Sequence, residues 1–264
     1  MEDRHPRPSS GPTTLRGRDF IHRIPRAPVV DRIEQLMKVA RGRRVIDVGF
    51  VDVGLMAAKT DQGTWLHRRL SEVAAELVGI DIDEAGVRVA RRMGFEAHVA
   101  DCQEAEALAR LHLKPADIVV AGELIEHLDR PGDFLQAIRC LTGSSGLLAL
   151  STPNAMALTN FVVSVFRREI VNPDHVAWYS RQTILTLLAR HGWSPEGFAY
   201  YALPNQNTNP DLRVTEQFLV RTWNACRMPM RGIYGFWPSL ADGMVILALP
   251  GQKVPAGSHR GISA

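Results

Sequence analysis

Short apolar runs that stop at an acid or a glycine recur along this chain, each followed by a helical stretch of about ten residues. RVIDVG ends at Asp47 and Gly49, LVGID at Asp81, EAHVA runs into Asp101 and Cys102, ADIVVAG ends at Gly122, and GLLALSTPN runs into Pro153. β-Branched runs of this length read as strands, and the periodic segments between them as helices. Crossovers long enough to hold a helix join parallel strands, whereas tight turns join antiparallel ones. The alternation therefore predicts a doubly wound parallel sheet covered on both faces, with right-handed connections. Ligands of such sheets bind beyond the carboxyl ends of the strands, so functional residues are expected just after Gly49, Ile80, Ala100, Ala121 and Thr152.

Around this frame the chain divides unevenly. VVDRIEQLMKVA carries Val30, Ile33, Leu36, Met37 and Ala40 at helical spacing, which predicts a leading helix from Val29. A loop is expected to about Gly63, then a helix capped by Thr64 and running through about Leu77. Beyond Pro153 the regularity weakens. A helical stretch to about Arg168 leads to the loop EIVNPDHVAWYS, the helix RQTILTLLARHG, a strand near GFAYYAL, the polar gap PNQNTNPD, the helix TEQFLVRTWNA and a last strand GMVILAL. We read a disordered basic arm over 1–27, one domain over 28–250 with cap insertions at about 154–180 and 204–240, and a flexible tail over 251–264. Thirteen of the 18 aromatic residues lie at or after Phe161, which assigns the second half the walls of a substrate pocket.

Composition narrows the partners. The arm holds six Arg against three acids, leaving 25 basic and 25 acidic residues elsewhere, so the domain is neutral overall and a phosphate-backbone partner is disfavoured. No apolar run approaches the length that spans a bilayer, and the leader MEDRHPRPSSGPTTLRGRDF lacks the apolar core of a secretory signal. Cys102, Cys140 and Cys226 are odd in number and widely spaced, as suits reduced thiols. A cytoplasmic protein without a membrane partner is expected. The amphipathic TEQFLVRTWNA fits either a cap helix or a homodimer surface.

The strand ends also carry a ligand argument. A carboxylate at Asp81 can accept both hydroxyls of a ribose, and one at Asp101 an adenine amino group, while Asp83 reads as a helix cap. A dinucleotide would need G-x-G-x-x-G for its pyrophosphate, but the loop here is GFVDVG, with β-branched Val51 and Val53 in the way. VIDVG, VGIDID, ADC, ADIVVAGELIEHLDRPGDFLQAIRCL and LLALSTPN together resemble class I S-adenosylmethionine-dependent methyltransferases of the UbiE/UbiG-like, type 11/12 superfamily, over roughly residues 30–195. The resemblance implies a Rossmann-like, doubly wound, seven-stranded sheet with a cap from the C-terminal half, and S-adenosylmethionine as cofactor. It places Asp47 and Gly49 beside the methionine part, Asp81 on the ribose, Ile82 against the adenine and Asp101 with Cys102 at its amino edge. Phe50 and Gly122 complete the cofactor-binding set. The segments GFVDVGLMAAKTDQGTWLHRRL and HVAWYS look like a branch acting on glycans or natural products, which implies a small-molecule acceptor.

For the reacting end, GELIEHL offers Glu123, Glu126 and His127 at i, i+3 and i+4, one face of a helix if one begins after Gly122. His127 is the first candidate base, His175 the second, and Glu123 a further catalytic candidate, although Glu126 and His127 could equally form a helix-orienting pair. The set Glu123, Glu126, His127 and His175 also resembles the metal site of Hen-type RNA 2′-hydroxyl methyltransferases. A metal-free site is the preferred reading. A non-catalytic binding protein is the remaining alternative, motivated by Val51 and Val53.

Overall fold

The computed structural model describes residues 21–204 and 213–251. The arm over 1–20, the polar gap at 205–212 and the tail from 252 lie outside the described residues. The leading helix is α1 (Arg32–Ala40), one turn shorter than the sequence pattern suggests. Asp31 caps it by accepting the Glu34 N–H at 2.9 Å, and Val29–Val30 instead form a two-residue strand, β1. The remaining elements are β2 (Arg44–Val48), α2 (Met56–Asp61), α3 (Leu66–Ser71), β3 (Glu76–Asp81), α4 (Glu84–Arg92), β4 (Glu96–Val99), α5 (Ala105–Ala109), β5 (Ala116–Gly122), α6 (Pro131–Ala137), β6 (Thr142–Pro153), α7 (Leu158–Val165), α8 (Arg181–Arg190), β7 (Trp193–Tyr201), α9 (Val214–Tyr234) and β8 (Gly243–Pro250).

The sheet order is β1-β7-β8-β6-β5-β2-β3-β4, with β8 antiparallel between β6 and β7 and every other pairing parallel. The seven expected strands are all present, and β1 makes the eighth by pairing with the edge of β7. The order reverses direction between β2 and β5, which is where a doubly wound sheet opens a crevice for ligands.

Period-two alternation sends successive strand residues to opposite faces. Ile46, Val48, Val119, Ala121, Leu148 and Leu150 meet α5, α6 and α8 through Leu108, Phe134, Leu135, Ile184 and Leu188. Val45, Ile118, Val120 and Ala149 meet Leu36 and Ala40 of α1 and Leu70 of α3 on the other face. Fully burying each of the Val, Leu, Ile and Phe side chains stabilises the fold by about 1.5–3 kcal/mol before the entropy of ordering it. A third cluster joins Val87 and Ala90 of α4 to Phe50, Met56 and Trp65. No described helix is long and apolar enough to cross a membrane.

Three sequence expectations are corrected. α2 occupies part of what reads as loop, and the helix from Thr64 shrinks to α3: Trp65 inserts into the third cluster at its start, donating its Nε1–H to Phe50 O at 2.9 Å, and at its end Val73 and Ala75 bond to Gly42 and Arg43 as the chain enters β3. GELIEHL is not an α-helix: Glu123 has φ +58°, and Ile125–His127 make a single 3₁₀ turn.

Candidate active site

The same alternation that builds the core decides where each strand-end residue points. Asp47 shares the face of Val45, so its carboxylate is turned towards α3 and accepts from His67 Nδ1 at 2.9 Å, both side chains being buried. Burial raises the Asp47 pKa, and the hydrogen bond and charge of His67 oppose the rise. His67 lies among the rings of Phe50, Trp65 and Phe95. Phe50 also faces inward and fills the space over Gly79, where a Cβ would lie 2.7 Å from its ring. Asp47 and Phe50 thus shape the cofactor loop from beneath, with only backbone atoms left to offer at its surface.

Gly49 turns the chain with φ +72°, a left-handed backbone open to glycine at little cost, and its N–H donates to Ile80 O at 2.8 Å. A Cβ there would lie 2.6 Å from Leu124 Cδ1. The next residue but one closes onto strand β3: Val51 N–H donates to Asp81 Oδ2 at 2.9 Å, while Asp83 N–H donates to Oδ1 at 2.9 Å. Burial pushes the Asp81 pKa up and these two backbone donors pull it back. A carboxylate offers about four lone-pair sites, so two remain for a pair of vicinal hydroxyls. The Val51 side chain packs against α4 at Gly86, where a Cβ would lie 2.2 Å from Val51 Cγ1, and Val53 points to solvent. Val51 thus meets the Asp81 carboxylate through its backbone N–H while its side chain is taken up by the packing on α4.

Ile82 directly follows β3 and is 68% exposed, a flat apolar surface beside an acid. Asp101 Oδ1 accepts Gln103 N–H at 2.8 Å, and Arg130 approaches Oδ2 at 4.0 Å. Cys102 is buried, and burial, with the nearby charges of Asp101 and Asp81, pushes its thiol up to about 12. Gly122 admits Leu66 where a Cβ would lie 2.5 Å from its Cδ2. Asp83 caps α4 by accepting Ala85 N–H at 3.0 Å. A hydroxyl acceptor, an exposed apolar platform and a second polar edge in this order fit an adenosyl group.

The GELIEHL residues are pulled to opposite faces of the sheet by two neighbours on β6. Ser151 lies on the α1 face: Arg32 Nη1 donates to its Oγ at 3.4 Å, and Glu123 N–H donates to the same hydroxyl at 3.2 Å. The Glu123 carboxylate accepts from Tyr201 Oη–H, and the Arg32 guanidinium sits 5.9 Å from the Tyr201 ring centre. Burial works against the Arg32 charge, but Glu123, Tyr201, Asp52 and Glu126 outweigh it and hold its pKa high. Burial and the Glu123 charge raise the Tyr201 phenol well above its usual range. Thr152 lies on the opposite face, donating to Glu126 Oε2 at 2.9 Å. Glu126 is 1% exposed, and its Oε1 has no partner among the described residues. Burial and the neighbouring Glu123 push its carboxyl up to about 8.

His127 turns outward to the loop before α8. Its Nδ1 donates to Asp174 O at 3.2 Å, and its ring stands edge-on to His175 with centres 4.5 Å apart. The loop is held there by Val176 and Ala177, whose N–H groups donate to Glu126 O at 2.9 and 3.2 Å. His175 Nδ1 is buried without a partner among the described residues, and burial together with His127 lowers its pKa. The two histidines expected separately are therefore one pair, whereas Glu123 belongs to the Arg32–Tyr201 network. Of the four metal-ligand candidates, Glu126, His127 and His175 bring ligand atoms within 4.8 Å of one another and Glu123 stands outside the group. Ser151 and Thr152 sit where strand ends are expected to carry function, but Arg32 and Tyr201 have no local signal because they arrive from distant elements.

Comparison with known proteins places these features in a family. Residues 20–196 match the family described as a methyltransferase domain. A ubiquinone biosynthesis O-methyltransferase of Bordetella avium is 30% identical over 125 residues, covering 46% of this chain and 47% of that protein. Its namesake from Bradyrhizobium diazoefficiens is 25% identical over 181 residues, covering 67% and 60%. The chain thus spans about half to two thirds of the length of such relatives. Among solved structures, an S-adenosylmethionine-dependent methyltransferase of Archaeoglobus fulgidus has TM-score 0.51 at 19% identity, covering 83% of this chain and 91% of its own. Magnesium protoporphyrin IX methyltransferase of Synechocystis, solved with bound S-adenosylhomocysteine, has TM-score 0.50 at 13% identity, covering 83% and 82%. The chain belongs to the methyltransferase domain family and has the class I fold whose cofactor is S-adenosylmethionine.

Proposed function

We propose that this chain methylates a hydroxyl group of a small molecule, a sugar or a natural-product scaffold, with His127 as the base. The observation that carries the proposal is the hydrogen bond from His127 Nδ1 to Asp174 O, which leaves Nε2 with its lone pair at the carboxyl edge of the sheet. Bound S-adenosylmethionine supplies an electrophilic methyl group. Asp81 and Asp101 hold the ribose and adenine, Ile82 gives the adenine an apolar surface, and Gly49 lets the backbone approach. His127 Nε2 takes the hydroxyl proton as the acceptor oxygen is methylated, a contribution of typically a hundredfold to ten-thousandfold in rate. His175, with its pKa lowered, stays neutral beside it and does not repel the proton that His127 gains. The O-methyltransferase names of the relatives support an oxygen acceptor.

Calorimetric titration with S-adenosylhomocysteine tests the cofactor half. Asp81→Asn should weaken binding by roughly tenfold to a hundredfold, the worth of charge-assisted hydrogen bonds. No detectable heat from the wild-type protein would sink the reading. His127→Ala should then depress turnover more than affinity.

A second reading is favoured by one specific observation: Glu126 Oε1 and His175 Nδ1 are both buried with no partner among the described residues, and both residues belong to the Glu126–His127–His175 group. A divalent cation bound by these three would satisfy both atoms and orient the acceptor oxygen. Methyl transfer that survives a chelator undiminished rules this out.

A further inference from the structure

A cavity of about 360 Å³ lies beside the histidine pair, between α7 and the loop that follows it. Ala155, Val163, Ile170 and Trp178 form its apolar walls, and Arg168 and Glu169 stand at its polar margin with Asn160 and Ser164. It is separate from the adenosyl residues of β3 and β4, and from a cavity of about 670 Å³ at the amino ends of β5 and β6, on the far side of the sheet from the site.

Backbone hydrogen bonds hold two stretches of its lining. Ala155 N–H donates to Tyr179 O at 2.8 Å, next to the bridge between Asn154 and Tyr179. The buried Asn154 amide donates to Ser239 O at 2.9 Å and Ala241 O at 2.8 Å, while its Oδ1 accepts Met156 N–H at 3.0 Å. Arg168 N–H donates to Val163 O at 3.1 Å, tying the turn after α7 back to the helix. Preformed cavities bind without the cost of ordering their walls.

Trp178 joins this cavity to the reacting end, because its indole both lines the cavity and stands edge-on to His175 at 6.2 Å. A ligand lying over Trp178 therefore touches the side chain that packs against His175. The margin carries one guanidinium and one carboxylate, neither in an ion pair among the described residues, so its formal charges cancel. The volume lies at the small end of the usual range of roughly 300–1,000 Å³ for ligand pockets.

Resting on the methyltransferase reading above, we propose that this cavity holds the uncharged aromatic body of the acceptor, with Trp178 as the wall it shares with the His127–His175 pair. The specificity of the reaction then resides in the 154–178 segment and not at the cofactor edge.

N-Phenyl-1-naphthylamine, a neutral aromatic whose fluorescence rises on leaving water, tests the cavity without turnover. The wild-type protein should bind it at one saturable site, and the cavity-filling Val163→Trp should weaken binding at least tenfold. A double variant of exposed apolar residues outside the cavity, Phe161→Ser with Phe166→Ser, should leave binding unchanged. Bound probe should also move the imidazole NMR signals of His175, identified with His175→Gln. Binding indifferent to Val163→Trp, lost in the Phe161/Phe166 variant, or silent at His175 overturns the proposal. S-Adenosylhomocysteine titrated into the same proteins separates the two failures, since it reports the cofactor site whatever the probe does.

Discussion

Replacing Glu126 by Gln should make the protein more stable at neutral and alkaline pH while leaving it unchanged in acid. The carboxyl has its pKa raised from 4.5 to about 8 by burial and by the charge of Glu123. Between those values the unfolded chain has released a proton that the folded protein keeps, so stability falls as pH rises through that window and is flat outside it. Each pH unit is worth about 1.4 kcal/mol, so the full window from 4.5 to about 8 amounts to about 5 kcal/mol. Side-chain adjustment and entry of water reduce that ceiling to roughly 2–4 kcal/mol in practice. Gln keeps the shape and can still accept from Thr152, so the variant loses the slope without opening a cavity. The assay is urea unfolding at intervals from pH 5 to pH 9 in the presence of a chelator, which keeps any cation from holding the carboxylate ionised. The gap between variant and wild type in unfolding free energy should widen with pH, reaching roughly 2–4 kcal/mol at pH 9. Parallel stability curves across the range would refute the assignment of a neutral, buried Glu126. Glu123→Gln should shift the wild-type slope towards lower pH, because it removes the like charge that contributes to the rise.

Three further outcomes follow from the packing. Gly49→Ala meets both a left-handed backbone and the Leu124 side chain, so it should cost about 1–3 kcal/mol and weaken S-adenosylhomocysteine binding in calorimetry. Asp242 accepts Arg227 Nη2 at 2.5 Å, Leu203 N–H at 2.9 Å, and Thr159 and Tyr234 hydroxyls each at 3.1 Å, so Asp242→Ala leaves Arg227 buried and unpaired. Chemical denaturation should show a loss of about 3–5 kcal/mol. In a Cys226→Ser background, a thiol-reactive dye should label exposed Cys140 in the native protein and reach buried Cys102 only on unfolding, its thiol being pushed up to about 12.

The strands that carry the cofactor edge were legible because their signal is local. In β2, β3 and β5 a few consecutive β-branched residues specify both the element and the acid or glycine that ends it. What escaped is whatever a distant residue decides. GELIEHL has helical spacing, yet Ser151, Thr152 and Tyr201 take Glu123 and Glu126 to opposite faces, and a left-handed Glu123 is the result. Asp47 reads as a ligand-facing acid until His67, from a helix of six residues, claims its carboxylate. The pairing of His127 with His175 likewise depends on backbone bonds from Val176 and Ala177 to Glu126, which no spacing announces.

The position of β8 carries a consequence for how the molecule is made. Residues 243–250 fill the gap between β6 and β7, so both strands keep an open edge until this late segment has left the ribosome. At about 5–20 residues per second, more than forty residues after β7 leave those edges bare for seconds, long compared with the collapse of the earlier strands. The half that binds the methyl donor can assemble from β2 to β6 in that interval, while α7 and α9 wait for β8 to fix Asp242, which bonds Thr159, Arg227 and Tyr234. Nascent chains stalled before Gly243 should therefore already bind S-adenosylhomocysteine yet recruit holding chaperones through the bare edges of β6 and β7, and release of β8 should abolish that recruitment.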